Sequence, residues 1–315
     1  MPGPRRAFAV VRALPIVVPA LAAVALVALA LGWSPRSAPD PLIVADLRGH
    51  ALVVLDPSAP EAARRIDLPG GPHELLRLPD GRVLVSLEQY GALALVDVGS
   101  GDVERIEVGG NPHGLALDGD AVLVTDRSVE QVRRFALDDW RELDPLPSSH
   151  WPHAVAVTPS GAVAVTSAEP GTVRVGDEET FVGRTTETLA VRGDGAIAAA
   201  AATDGVVVLI APDGSLLGRW EIGGRPVRVA FSPDGDTLAV ALSAGHGVAL
   251  IGPDGVRRAP VEGVPDGLAF SRDGRIVYAS DVYGGAVTAV DVESGAVLAV
   301  IPVGEGTGAM LVVAR

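Results

Sequence analysis

Apolar runs of strand length alternate with short polar turns along the chain after residue 41. The clearest example lies between Pro265 and Gly306, where turn sequences rich in Asp, Ser and Gly separate the runs. The four runs are Leu268–Phe270, Ile276–Ala279, Ala286–Val290 and Val297–Val303. They are rich in β-branched residues, which favours strands over helices. Four short antiparallel strands in about 40 residues is the period of one β-propeller blade.

The same unit recurs along the chain and predicts a closed ring. Six copies begin at Pro72, Pro112, Pro152, Thr188, Pro226 and Pro265. Two fragments remain, because residues 42–71 supply three strands without a first one, and residues 307–315 supply a single first strand. Together they form a seventh blade that removes the free sheet edges. We therefore predict an all-β fold over residues 42–315, a seven-bladed β-propeller of four-stranded antiparallel blades.

Composition narrows the classes of function. The chain has no cysteine, which excludes disulfides and thiolate metal sites. All 25 basic residues are arginine, and the formal net charge is −14. An acidic surface of this kind argues against nucleic acid as a partner. We expect the chain to be a monomer.

The N-terminal segment predicts a membrane anchor. Residues 13–33 are 21 uncharged positions, which as a helix would span about 31 Å against a hydrocarbon core of about 30 Å. The three arginines Arg5, Arg6 and Arg12 precede this run, so the positive-inside rule places the propeller outside the cytoplasm. We predict a signal-anchor helix over residues 1–33, a Pro-rich linker over residues 34–41, and a single-pass protein of the cell membrane. If the segment is instead cleaved as a secretory signal, the propeller is secreted.

The last unit resembles a known repeat. Val277-Tyr278-Ala279-Ser280 stands where the YVTN repeat of bacterial surface β-propellers has its name-giving residues, and Ile301-Pro302-Val303-Gly304 resembles its I-P-V-G segment. The chain is therefore similar to the YVTN-repeat, NHL-like family of seven-bladed propellers. That resemblance implies the fold but no single activity, since surface proteins, sugar-lactone hydrolases and antibiotic lyases share similar propellers.

Propeller ligands usually bind where loops converge at the mouth of the central channel. Two loop classes reach this face, those leading into each inner strand and those joining the second and third strands. The candidate binding residues on this channel face are His73, His113, His153, Trp151, Glu88, Asp126, Arg127, His246 and Asp281. Among them, Trp151 is the aromatic side chain best placed to stack on a ligand.

Three histidines at one-blade spacing are the candidate metal ligands. His73, His113 and His153 each follow a proline at the start of a unit. Neutral imidazole binds divalent metals well, so neighbouring pairs could share an ion. The alternative is that blade duplication copied a Pro-His strand start whose rings only line a wet channel. A divalent metal ion is the cofactor that these residues suggest.

The sequence carries no nucleophile elbow, H-E-x-x-H zinc motif or phosphate-binding loop. The leading hypothesis is a membrane-tethered, extracytoplasmic module that binds a protein, peptide or small molecule through its His-rich channel face. The alternative is a metal-assisted lyase or lactone hydrolase that uses His73, His113 and His153 as ligands. A third hypothesis is a purely structural surface protein.

Overall fold

The computed structural model describes residues 40–313. The predicted anchor over residues 1–33 and most of the linker lie outside the described residues. Within residues 40–313, no helix is long and apolar enough to cross a membrane.

Seven four-stranded antiparallel sheets make up the described region, which confirms the predicted architecture. The blades are numbered along the chain, starting from the first sheet that consists of four consecutive strands. Blade 1 contains β4 (Leu75–Arg77), β5 (Val83–Leu87), β6 (Ala92–Val96) and β7 (Val103–Glu107). Blade 2 contains β8 (Pro112–Asp118), β9 (Ala121–Asp126), β10 (Gln131–Ala136) and β11 (Glu142–Pro147). Blade 3 contains β12 (Pro152–Val157), β13 (Val163–Ser167), β14 (Thr172–Val175) and β15 (Glu178–Phe181).

The next three blades have the same strand order. Blade 4 contains β16 (Thr186–Val191), β17 (Ile197–Ala201), β18 (Val206–Ile210) and β19 (Leu216–Glu221). Blade 5 contains β20 (Pro226–Phe231), β21 (Leu238–Leu242), β22 (Gly247–Gly252) and β23 (Gly255–Pro260). Blade 6 contains β24 (Pro265–Phe270), β25 (Ile276–Asp281), β26 (Ala286–Asp291) and β27 (Val297–Pro302). Blade 4 thus begins at Thr186, two residues before the start inferred from sequence.

Blade 7 joins the two ends of the described chain. It contains β28 (Thr307–Val312), β1 (Leu42–Asp46), β2 (Ala51–Leu55) and β3 (Arg64–Asp67). The strand β28 pairs antiparallel with β1, with Leu42 opposite Val312. The inner strands of neighbouring blades contact each other around the whole ring. Two single 3₁₀ turns, Pro60–Ala62 and Glu88–Tyr90, complete the elements of the described region.

The hydrophobic core lies between neighbouring blades. The two middle strands of most blades are almost wholly buried, whereas the outermost strands alternate exposed and buried positions. One core cluster, for example, joins Ala241 and Val248 of blade 5 to Leu268 and Val277 of blade 6. Small residues such as the four alanines of β17 let the sheets stack closely face to face. Tyr278 of β25 is the largest fully buried side chain of the described residues.

A β-bulge in the inner strands shapes the channel. Six of these strands shift register just after their first residue, as between Pro112 and Leu115 in β8. A bulge places an extra residue in one strand and re-aims the side chains beside it. The residues that come after the strand-initiating Pro or Thr therefore lie at this bulge.

Candidate functional site

Three histidine rings form a stack beside the inner strands of blades 1 to 3. The ring centroids of His73 and His113 are 4.2 Å apart, and those of His113 and His153 are 3.9 Å apart. Neighbouring rings are tilted by 50° and 52°. The repeat spacing therefore brings all three predicted metal ligands into one contiguous cluster.

His113 is the buried centre of this stack. Its side chain is fully buried, with 1% of its surface exposed. Its Nδ1–H donates to the His153 carbonyl oxygen at 3.2 Å, so the lone pair of the neutral ring is on Nε2. That Nε2 is buried and has no hydrogen-bond partner among residues 40–313. Unpaired buried nitrogens of this kind are rare and often mark a functional site.

A glycine permits this arrangement. Gly114 follows His113, and a Cβ at this position would overlap the His153 carbonyl oxygen. The missing side chain lets strand β8 approach β12 closely enough for the imidazole to reach that carbonyl. The Thr125 hydroxyl donates to the same oxygen at 2.7 Å and accepts from the Gly114 N–H. The backbone around His113 is thus fixed by hydrogen bonds as well as by packing.

The protonation states of the three rings differ. Burial, and then the neighbouring His153 and His73, hold the pKa of His113 well below its usual 6.5. Burial likewise lowers the pKa of His153 to about 3. Burial also opposes the charge on His73, but the carboxylates of Glu74 and Glu88 outweigh it and raise the pKa of His73. At neutral pH the rings of His113 and His153 are therefore uncharged, whereas the His73 ring is the one that protonates most readily.

An ion pair crosses the channel next to His73. Glu74 Oε1 of blade 1 lies 2.7 Å from Arg228 Nη1 of blade 5, a blade that is not its neighbour in the ring. Burial would raise the pKa of Glu74, but Arg228 and His73 together lower it to about 2. The carboxylate of Asp266 lies 3.8 Å from Arg228. Glu74 also approaches His73, with Oε1 3.7 Å from Nδ1.

Glu88, Arg127 and Trp151 extend the site to the rim. One oxygen of Glu88 lies 3.8 Å from His73 Nε2, and the other accepts a hydrogen bond from Arg127 at 3.1 Å. The Arg127 guanidinium is 5.8 Å from the centre of the Trp151 ring. The Trp151 ring also stacks on His150 at 5.5 Å and is 40% exposed. Six of the nine predicted residues are thus linked by direct contacts on blades 1 to 3.

The cluster also contains a set of atoms with metal-ligand spacing. One ligand atom from each of His73, Glu88 and His113 lies within 4.8 Å of the other two. This set differs from the predicted one, because Glu88 takes the place expected for His153. Two imidazoles and one carboxylate are a familiar donor set for zinc and other transition metals.

The other three predicted residues are engaged elsewhere. Asp126 is buried and accepts hydrogen bonds from Asn111, Ser128 and Arg133. Asp281 likewise accepts from the backbone N–H of Val264 and Tyr283. Asp126 and Asp281 are each the last residue of the second strand of their blade. Their carboxylates connect that strand to the loop that leads into the inner strand of the same blade. His246 is exposed, and its Nδ1 donates to the Gly263 carbonyl oxygen at 2.8 Å.

Two charged residues near the site were not predicted. Glu187 of β16 stands at the position of the three histidines, since Thr186 replaces the proline. Burial raises the pKa of Glu187. Arg228 follows Pro226 by two positions and was not identified. A sequence alignment that matched Thr186 of blade 4 to the prolines of the other blades would have identified Glu187. The contact between Arg228 and Glu74 has no sequence signal.

Comparison with known proteins shows the fold. No family model and no curated protein matches the chain. A variant of virginiamycin B lyase from Staphylococcus aureus is 13% identical with a TM-score of 0.66, over 78% of this chain and 93% of the lyase chain. A putative 6-phosphogluconolactonase from Bacteroides fragilis is 14% identical with a TM-score of 0.73, over 89% and 99%. A functionally unknown protein from Desulfotomaculum acetoxidans is 13% identical with a TM-score of 0.74, over 87% and 98%.

The chain is a seven-bladed β-propeller. At identities this low, the likeness to solved structures supports that architecture and no particular activity. Membership of the YVTN-repeat or NHL-like group stays a prediction from the motifs of the last unit.

Proposed function

We propose that this propeller is a binding module for a small molecule that carries a flat ring and a polar head group. The ligand enters the channel mouth over blades 1 to 3, with its ring against Trp151 and its head at the histidine cluster. The observation that carries the proposal is the buried, unpaired Nε2 of His113. A buried lone pair without a partner lowers stability, so a bound group that donates a hydrogen bond to it, or a cation that it binds, is favoured.

The surroundings of Trp151 support a role at the rim. Its backbone φ of 52° is matched by φ of 62° at Thr185 and 55° at Arg225, the equivalent positions of blades 4 and 5, so this conformation belongs to the repeat. It holds an exposed indole beside Arg127, whose guanidinium Glu88 fixes by a hydrogen bond. An exposed aromatic ring with one polar neighbour is a common feature of small-molecule sites.

Ligand pairs that differ only in the head group test this proposal. We would titrate the purified chain with indole-3-carboxylate and with indole, and with other ring-bearing acids and their parent rings. Binding is followed by tryptophan fluorescence and confirmed by calorimetry. We expect the acids to bind more tightly than the parent rings, because the guanidinium of Arg127 attracts an anionic head group. We expect Trp151→Ala to weaken binding about 2- to 10-fold, since one aromatic contact contributes about 0.5 to 1.5 kcal/mol.

Two controls accompany this titration. Trp220→Phe removes an indole from the outer strand β19, and His246→Ala removes a histidine whose ring is hydrogen-bonded to the Gly263 carbonyl oxygen in the loop between β23 and β24. Neither change should alter binding. If no ring-bearing compound binds, or if Trp220→Phe weakens binding as much as Trp151→Ala, the channel mouth is not the binding site.

The second candidate is a metal-assisted lyase or lactone hydrolase. The specific observation that favours it is the spacing of His73, Glu88 and His113. The structurally similar virginiamycin B lyase includes a histidine-to-alanine variant described as catalytically inactive, with quinupristin bound. In such a reaction the metal would polarise a carbonyl, and a neighbouring carboxylate or imidazole would move the proton. Turnover of quinupristin or of 6-phosphogluconolactone that disappears in His113→Phe would establish this activity over the binding role.

We also propose that residues 13–33 tether the propeller to the membrane with the ring outside the cytoplasm. The charge asymmetry around the apolar run supports this orientation. The chain has no cysteine, so a single cysteine introduced at the exposed Val129 reports topology cleanly. We expect a membrane-impermeant maleimide to label it in intact spheroplasts. Labelling only after lysis would overturn the orientation, and recovery of a shortened chain from the medium would indicate cleavage.

A further inference from the structure

We propose that His73 Nε2, His113 Nε2 and Glu88 Oε2 form a site for one divalent transition-metal ion, and that His153 is not a ligand. The inference deepens the proposed function and rests on the same channel site, because the ion would receive the oxygen atoms of the ligand's head group. It names a ligand set that the repeat spacing alone did not give.

His113 Nε2 and Glu88 Oε2 are available as ligand atoms, and His73 Nε2 is available in the neutral ring that carries its proton on Nδ1. His113 donates through Nδ1 to the His153 carbonyl oxygen, which leaves Nε2 as a buried lone-pair donor without a partner among residues 40–313. Glu88 uses one oxygen for Arg127 and directs the other toward His73 Nε2 at 3.8 Å. A tetrahedral zinc ion with bonds of about 2.1 Å separates its ligand atoms by about 3.4 Å. The measured pair is therefore close to ligand spacing, and side-chain movements of about 1 Å complete the set.

The surroundings of His73 match those of a metal-bound imidazole. Ligating histidines generally present their second ring nitrogen to a carboxylate, which fixes the tautomer and orientation of the ring. His73 Nδ1 faces Glu74 Oε1 at 3.7 Å, and Arg228 holds that carboxylate at 2.7 Å. Glu74 is thus a positioning residue, and the ion pair across the channel keeps it in place.

His153 has a different role from its two neighbours. Its backbone carbonyl oxygen orients His113, and its ring covers one face of the His113 ring at 3.9 Å. Its side chain is not part of the group with ligand spacing among the described residues. A phenylalanine at this position would keep both the carbonyl and the covering ring. The pair His153→Phe and His113→Phe therefore separates packing from ligation with the same change.

Three ligands leave coordination positions open, as in catalytic and ligand-binding zinc sites. Glu88 connects the set to Arg127, which lies beside Trp151, and the proposed ligand approaches from this side. Carboxylates and adjacent hydroxyl oxygens are head groups that such an ion binds.

The test is elemental analysis of the untagged, full-length chain, followed by titration of the metal-free protein with Zn²⁺, Mn²⁺ and Mg²⁺ by calorimetry. We expect one tightly bound transition-metal ion per chain and much weaker binding of Mg²⁺, because imidazole donors favour transition metals. His73→Phe, His113→Phe and Glu88→Gln should remove this binding. His153→Phe should change the affinity less than about threefold, and Glu74→Gln should weaken it about 10- to 100-fold, as is typical of groups that orient a ligand.

The inference is overturned if the metal-free chain binds neither Zn²⁺ nor Mn²⁺, or if His153→Phe weakens binding as much as His113→Phe does. Glu88→Gln is a partly exposed change, so its unfolding curve provides a check if the buried His113→Phe fails to fold. Metal binding without binding of any ring-bearing acid would contradict the proposed ligand while supporting this site. Equal binding of the acids in the presence of a chelator, with no metal bound, would contradict this site alone.

Discussion

Blades 1 to 3 and blades 4 to 7 share one architecture but differ at a single position. At the position after the proline or threonine that leads into the inner strand, blades 1 to 3 carry His73, His113 and His153, whereas blades 4 to 7 carry Glu187, Val227, Asp266 and Gly308. This position is equivalent in all seven repeats. The difference therefore changes the chemistry of the channel wall without changing the scaffold. Such a separation predicts that stability and binding respond to different substitutions.

The largest effect is expected in the core of blade 6. Tyr278→Ala should lower the free energy of unfolding by about 3 to 5 kcal/mol, because it leaves a large cavity. The Tyr278 hydroxyl is buried and has no hydrogen-bond partner among the described residues. Tyr278→Phe should therefore be neutral or stabilising in the same denaturant titration. Neither change should alter binding at blades 1 to 3, and an equal loss of binding would break the comparison.

Acid should destabilise the histidine side of the ring. His153 has a pKa of about 3 in the folded protein and about 6.5 when unfolded, so below pH 6.5 the unfolded chain binds a proton that the folded chain does not. Its contribution is fully present above pH 6.5 and is lost as the pH falls toward 3, with a slope of at most about 1.4 kcal/mol per pH unit. Unfolding measured with a chelator present from pH 7 to pH 4 should show a slope of this sign, to which the uncharged His113 adds. His153→Phe should reduce the slope by the part that His153 contributes, and an unchanged slope would contradict an uncharged His153 ring in the folded protein.

A smaller effect is expected for the ion pair that crosses the channel between the two groups of blades. Glu74 of blade 1 and Arg228 of blade 5 form an ion pair that is mostly buried. Glu74→Gln or Arg228→Met should each cost about 1 to 3 kcal/mol, because one charge loses its nearest partner while Asp266 or His73 stays beside it. In a double-mutant cycle the two losses should not add. Additive losses would show that the pair does not couple the two sides of the channel.

The smallest effect is expected at His246, in the exposed loop between β21 and β22 of blade 5. His246→Ala should change stability by less than about 0.5 kcal/mol, as is usual for exposed positions. It should leave metal binding and ligand binding unchanged, since its ring is hydrogen-bonded to the carbonyl oxygen of Gly263, away from blades 1 to 3. A loss of binding in this variant would extend the site beyond blades 1 to 3.

The ring could be predicted from the sequence because apolar runs and Asp-Gly turns are local signals that repeat. One-blade spacing also predicts that the three histidines lie side by side, and in the structure they lie together with Glu88, Arg127 and Trp151. Asp126 and Asp281 could not be separated from Glu88 in the same way. All three lie near the end of a second strand, and only the backbone geometry of each loop decides whether the carboxylate turns inward to N–H groups or toward the channel.

Contacts across the ring were beyond sequence reasoning for a different reason. Glu74 and Arg228 belong to blades that are not neighbours, so no repeat spacing relates them. Glu187 was missed because Thr186 replaces the proline that marks the other strand starts. The set with metal-ligand spacing contains Glu88, where the sequence predicted His153. This difference depends on ring tilts and side-chain rotamers, which are determined by packing.

The pairing of β28 with β1 sets the order in which this protein can mature. The strand β28 is synthesised after all the others, so β1 has no partner at its inner edge until translation of the domain is almost finished. An unpaired strand edge is a template for association with other chains. The inner edge of β1 is therefore exposed for most of synthesis, and a chain that stops before Thr307 would leave an open ring with that edge uncovered.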